Sequence, residues 1–303
     1  MIDRLLLVGC GLMGGSVAAG LRAQCPQAQV WVVDPSYAKQ ALDQGIAQRV
    51  FESVVDMLKA ADEPIAQGLV FATPVNVTAG LLRDLAEPDD ASIASRVSLL
   101  HNLTWVTELG SVKGPVIKAL NALPSGPFQE ALLTRFVPSH PMAGSEQSGL
   151  SAAMASLLEG ARVLISRLPE NQPQAVDGLE VFFSRLGGQP IALPLEEHDE
   201  LLAALSHLPH LLAYGLAGML ASGPYAAAAQ SLHGGGLRDT TRIAGSSPAL
   251  WSGILLENRE AVLALMTQYR LSLSELVHAL EANDAQALSQ SLERASQWRR
   301  QFS

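Results

Sequence analysis

A few side chains in this sequence have the type and spacing that chemistry needs. His140 stands in Ser139-His140-Pro141-Met142-Ala143-Gly144-Ser145-Glu146, just after the apolar stretch Arg135-Phe136-Val137-Pro138. The proline fixes the turn and the glycine keeps it open. An imidazole at a strand end can bond a substrate hydroxyl and take its proton as hydride leaves the same carbon. It can equally serve as a structural histidine that caps a loop. Ser111, in Glu108-Leu109-Gly110-Ser111-Val112-Lys113, reaches the same crevice from the preceding strand. It can share that hydroxyl, or act as a turn or N-cap residue. Glu146 is either a supporting acid or a favourable charge in the first turn of a helix.

His207 and His210 lie at i and i+3 in Ser206-His207-Leu208-Pro209-His210, on neighbouring positions of a helix that Pro209 interrupts. Two histidines with no third ligand nearby are weak evidence for a metal, so none is expected. Arg242 follows a glycine triplet, Gly234-Gly235-Gly236, and can hold a carboxylate with two parallel hydrogen bonds. It can also form an ion pair with Asp239 or Glu257. Trp251 reads as core or subunit interface.

Behind these residues must stand elements that place them. Leu5-Leu6-Leu7-Val8 reads as a buried parallel strand, and Gly9-Cys10-Gly11-Leu12-Met13-Gly14-Gly15-Ser16 follows it into a helix-compatible run. Strand, glycine loop and helix in that order form a dinucleotide-binding context. Gly9, Gly11, Leu12, Met13 and Gly14 would cradle a pyrophosphate on free helix N–H groups. A second strand, Val30-Trp31-Val32-Val33, ends in Asp34, about twenty residues on, where an acid can accept from a ribose 2′-OH. Pro35, Ser36 and Tyr37 follow it rather than an arginine, which favours NAD over NADP. The strand of residues 68–72 ends at Thr73 and Pro74, expected beside the nicotinamide half of the cofactor.

The βα alternation continues to residue 194, with strands at 49–51, 103–107, 161–166 and 190–193 and helices between them. From Glu196 onward strand patterns vanish and Leu/Ala-rich helical periodicity takes over. The sequence therefore predicts an α/β Rossmann domain with a mostly parallel, doubly wound sheet over 1–194, then an all-α domain over 195–303. Helices apolar on more than one face suggest burial against a second subunit.

The chain has 303 residues, 48% hydrophobic, with net charge −9 and no basic cluster beyond Arg299-Arg300, so nucleic acid is not an expected partner. No apolar run reaches the roughly 18 residues of a membrane span. The start leaves no room for a cleaved signal peptide, and Cys10 and Cys25 form no ligand pattern; a reducing cytoplasm is expected.

Taken together these residues resemble the prephenate/arogenate dehydrogenase family of tyrosine biosynthesis. The resemblance rests on GCGLMGGS with Asp34, TELGSVK around Ser111, SHPMAGSEQSG around His140, HDELLAALSHLPH around His210, and GGGLRDTTRIAGSSPALW through Arg242. It implies NAD(P)-dependent oxidative decarboxylation of a cyclohexadienyl substrate by a homodimer whose helical domain supplies the interface. It further implies that His140 acts as base on the ring hydroxyl with Ser111 assisting. His210 and Arg242, with His207, would hold the substrate, and Glu146 would support the site. Glu108 stands where many relatives carry Asp.

Overall fold

The computed structural model describes residues 2–61, 67–86, 97–98, 100–145 and 147–301. Glu146 lies outside the described residues. Five parallel strands form the first sheet, in the order β3-β2-β1-β4-β5: β1 (Arg4–Val8), β2 (Gln29–Val33), β3 (Arg49–Phe51), β4 (Gln67–Phe71) and β5 (Leu103–Glu108). The central strand β1 is buried along its length, and the strand period of two splits its side chains between two cores. Leu5 and Leu7 join Val17, Leu21 and Phe183 on one face, whereas Leu6 and Val8 join Met57, Leu82 and Leu120 on the other. Helix α1 (Leu12–Gln24) covers the first face; α2 (Ala38–Asp43) follows β2, and α3 (Val54–Ala60), α4 (Val75–Ala86), α5 (Gly114–Asn121) and α6 (Pro127–Leu133) come after β3, β4 and β5.

Strands β6 (Ser139–Pro141), β7 (Arg162–Ile165) and β8 (Gln189–Ala192) make a second sheet rather than lengthening the first. The chain touches β5 through a bridge at Val106 and Phe136, but the ladder goes no further, because the Val137 and Glu108 carbonyls accept from the hydroxyls of Thr107 and Ser139 instead. It then turns into β6, which runs antiparallel to β7, while β7 and β8 are parallel and α7 (Pro173–Arg185) connects them. The effect is to set His140 beside the carboxyl end of β5.

The remainder is helical. α8 (Leu195–Leu202), a π-helical segment (Ala203–His207) and α9 (Leu208–Ala221) run on as one rod. The break expected at Pro209 takes this form: the widened turn sits just before a residue that cannot donate an N–H. By length and composition this rod, Leu195–Ala221, is long and apolar enough to cross a membrane, which corrects the expectation that no segment would be. Its first turns carry Glu196, Glu197, Asp199 and Glu200, and its middle carries the site's histidines. α10 (Ala226–Leu232), α11 (Gly235–Thr241), a 3-10 turn (Arg242–Gly245), α12 (Pro248–Glu257), α13 (Arg259–Glu281) and α14 (Ala285–Arg299) complete the chain. Leu205, Met219, Leu232, Leu256, Leu263 and Leu271 are largely exposed along these helices.

Candidate active site

The glycine loop has the shape a dinucleotide requires. Gly9 adopts φ +90°, and a side chain there would strike the Ala72 carbonyl at 2.8 Å, which fixes glycine at the turn. A Cβ on Gly14 would lie 2.0 Å from the Gly9 carbonyl oxygen, so helix and loop meet only without one. Above Gly11 there is open space, and among the described residues no side chain caps α1, whose first N–H groups, on Leu12 and Met13 among others, are left unpaired by the helix. Asp34 is held by three backbone donors: Ser36 and Tyr37 at 2.7 Å on Oδ1, and Cys10 at 2.7 Å on Oδ2. A carboxylate offers about four acceptor positions, so one direction remains for a sugar hydroxyl. Thr73 leans against Gly9, bonds Thr78 through its hydroxyl at 2.7 Å, and precedes the exposed Pro74. Burial pushes the Cys10 thiol up to about 12, so it sits in the loop as a small hydrophobe.

His140 is 8% exposed in β6. Its Nδ1 lies 3.1 Å from Nε2 of His198, and His198 Nδ1 lies 2.7 Å from Oδ1 of Asp199. Asp199 also accepts from the backbone N–H of Lys113 and of Gly114, both at 2.8 Å, so the first turn of α8 caps α5. The Lys113 ammonium is buried against the Glu108 carboxylate and donates to the carbonyls of Gly110 at 2.8 Å and Ser139 at 2.7 Å. Burial is the largest influence on both, raising Glu108 and lowering Lys113, each away from its charge. The three acceptors around Nζ match the three donors of an ammonium, and Gly110 N–H completes the carboxylate at 2.7 Å. Lys113 thereby ties the end of β5 to the strand that carries His140.

Ser111 is half-buried in the loop between Gly110 and Val112, and Val112 packs on Trp251 and Ile254 of α12. His207 is buried; Asn258 donates to its Nδ1 at 3.0 Å and to the Asp199 carbonyl at 2.7 Å. The proton of His207 is therefore on Nε2, where it is buried with no partner among the described residues. His210 donates from Nδ1 to the Ser206 carbonyl at 2.9 Å and stacks on Trp251, with centroids 3.4 Å apart and planes at 17°. Burial, and then the Arg242 charge, depress its pKa, so Arg242 lies near enough to be felt. α11 starts at Gly235, and Arg242 stands in the exposed 3-10 turn after it. Asp239, considered as its ion-pair partner, bonds Arg238 instead. Trp251 is buried, in keeping with the core reading. Among the described residues no group of three metal-binding side chains converges.

Sequence reasoning gave no role to Lys113, His198, Asp199 or Asn258. The signal for the first was Glu108 itself, since a carboxylate at the end of a buried strand needs a counter-charge nearby.

Burial, reinforced by the Lys113 charge, holds His140 well below the ordinary histidine range; burial also lowers His198, and takes His207 to about 4. These rings are neutral in the fold and protonate more readily once unfolded. Their contribution to stability is therefore present above about pH 6.5 and is lost as pH falls toward the folded values, at up to about 1.4 kcal/mol per pH unit for each ring. Denaturant midpoints are expected to drop between about pH 7 and pH 5; a flat profile would contradict the burial of these rings.

Comparison with known proteins places this geometry. Residues 17–192 match the family model described as prephenate dehydrogenase, nucleotide-binding domain, and residues 194–294 match prephenate dehydrogenase, dimerization domain. A prephenate dehydrogenase of Lactococcus lactis subsp. cremoris is 30% identical over 292 residues, covering 95% of this chain and 74% of the relative. A cyclohexadienyl dehydrogenase of Zymomonas mobilis is 29% identical over 293 residues, covering 95% and 92%. The solved structure of prephenate dehydrogenase from A. aeolicus, in complex with hydroxyphenyl propionate and NAD+, superposes with a TM-score of 0.80 at 27% identity, covering 100% of this chain and 99% of that one.

Proposed function

The chain belongs to the prephenate dehydrogenase family, and from that premise we propose that it catalyses NAD-dependent oxidative decarboxylation of prephenate, arogenate or both, with His140 as the base. The observation that carries this reading is a buried histidine whose Nδ1 is already bonded, on the strand that follows the Rossmann sheet and against the first helix of the helical half. NAD, when bound, supplies the hydride acceptor. The chain's own residues do the rest. His140 takes the ring-hydroxyl proton at Nε2 while hydride departs from the same carbon, and loss of the ring carboxylate as carbon dioxide aromatises the ring. Ser111 shares the hydroxyl. His207 offers an Nε2–H that has no partner among the described residues, and His210 and Arg242 hold substrate carboxylate or side-chain groups. Glu146, by the family pattern, supports them.

Gly9, Gly11, Leu12, Met13 and Gly14 bind the pyrophosphate, Asp34 the adenosine ribose, and Thr73 and Pro74 flank the nicotinamide. We further propose a division at residue 194 and a homodimer formed through the helical domain. The exposed apolar side chains of that domain and the dimerization-domain match support it. Both described cysteines are free, which fits a cytoplasmic setting.

Absorbance at the NADH wavelength, with prephenate and arogenate each offered NAD and NADP, tests the reading. Reduction is expected with NAD; reduction with NADP alone would overturn the role given to Asp34, and none at all would overturn the function. Arg242→Gln is expected to raise KM by about 10- to 100-fold with a smaller change in kcat, since a charged hydrogen bond contributes roughly 1.5–3 kcal/mol. An unchanged KM would remove Arg242 from the substrate.

A further inference from the structure

We propose that His198 and Asp199 are positioning residues that set the proton of His140 on Nδ1 and so leave its Nε2 as the lone-pair nitrogen facing the substrate. The proposal rests on the reading of His140 as the base and adds the device that makes it one. Four hydrogen bonds fix the direction of the chain. Asp199 accepts on both oxygens from the N–H groups of Lys113 and Gly114 at 2.8 Å, as an ionised carboxylate does. The nitrogen of His198 that faces it, at 2.7 Å, must then be the one bearing the proton. A neutral imidazole has one donor and one acceptor, so Nε2 of His198 is an acceptor. Opposite it at 3.1 Å stands Nδ1 of His140, which must donate. No freedom is left in the sequence of donors, and Nε2 of His140 makes no hydrogen bond among the described residues.

The arrangement is rigid for reasons independent of the histidines. His198 is 0% exposed. Asp199 is pinned by the first N–H groups around α5, and its own carbonyl is held by Asn258 at 2.7 Å. Lys113 fixes the backbone next to His140 at the Ser139 carbonyl. The first turn of the helical rod thus reaches back to the Rossmann half and orients its base. The same chain of bonds spreads the charge that His140 acquires when it takes the proton, with the Asp199 carboxylate at its far end. Proton transfer needs no other group: the hydroxyl O–H breaks, an N–H forms on Nε2, and Nδ1 keeps its own.

Long-range proton–nitrogen NMR of the full-length protein labelled on histidine nitrogens reads the tautomers directly. Wild type is expected to show His140 neutral with its proton on Nδ1. His198→Leu removes the acceptor and is expected to shift His140 toward the Nε2–H tautomer. In the same variant kcat should fall about 10²-fold, less than the roughly 10⁴-fold that a wrong tautomer costs in the Ser-His-Asp arrangement. KM should stay within about threefold, since substrate contacts are not removed. His198→Gln, whose amide oxygen can stand where Nε2 stood, should recover most of the turnover and the Nδ1–H signal. A wild-type His140 carrying its proton on Nε2 would overturn the proposal, whether or not the variants fold. So would a folded His198→Leu enzyme with unchanged tautomer and turnover. Failure of the base assignment looks different: His140→Asn would then keep its turnover while the wild-type tautomer stayed on Nδ1.

Discussion

His140→Asn is expected to lose turnover by about 10²–10⁴-fold, the range a general base contributes, with only a modest change in KM. Asparagine keeps the size and a polar tip, so the turn through Pro141 and the antiparallel pairing of residue 140 with Leu164 survive. What it cannot do is accept a proton at the place of Nε2. Because burial and the nearby Lys113 charge hold His140 neutral, wild-type kcat/KM should remain flat well into the acid range, and the variant's residual activity should have lost that acid limb. Unchanged kcat would refute the assignment. A fall confined to KM would mean that His140 binds the substrate rather than reacting with it.

Lys113→Met should cost about 3–5 kcal/mol of stability, the usual result of leaving one partner of a buried ion pair without its counter-charge. Methionine fills the channel of the lysine stem but leaves Glu108, 1% exposed, facing an apolar tip, and removes the donor from the Ser139 carbonyl. Activity should fall with it, since that carbonyl adjoins His140. The double variant Glu108→Gln with Lys113→Met no longer buries a lone charge and is expected to recover much of the loss in denaturant midpoint. A single variant as stable as wild type would mean that the pair is neutral in the fold and that no ammonium bridges β5 to β6.

Much of the Rossmann half was legible because its inner strands are buried on both faces and so read as unbroken apolar runs. The glycine loop then stood in the one context that gives it meaning, and β3 fell at residues 49–51 as expected. The second sheet was less legible: its strands could be seen, but not that the Thr107 and Ser139 hydroxyls would end the pairing with β5 and release β6. In the helical half, leucine and alanine on several faces marked helices without marking which face turns inward, and the length of the rod through residue 221 was missed because a charged first turn breaks the apolar run. The site shows the same limit. His140 announced itself by its turn, but its partner His198 lies 58 residues further along the chain, and only the fold brings the two rings to 3.1 Å. Lys113 passed unnoticed although Glu108, at the end of a buried strand, calls for a counter-charge nearby.

The measurement that tests the assigned reaction most directly is its stoichiometry, with NADH and carbon dioxide measured together from the purified protein given prephenate and, separately, arogenate. One carbon dioxide is expected for each NADH with at least one of the two, and neither product from His140→Asn at the wild-type rate. NADH without carbon dioxide, or no NADH from either substrate, would contradict oxidative decarboxylation by this chain.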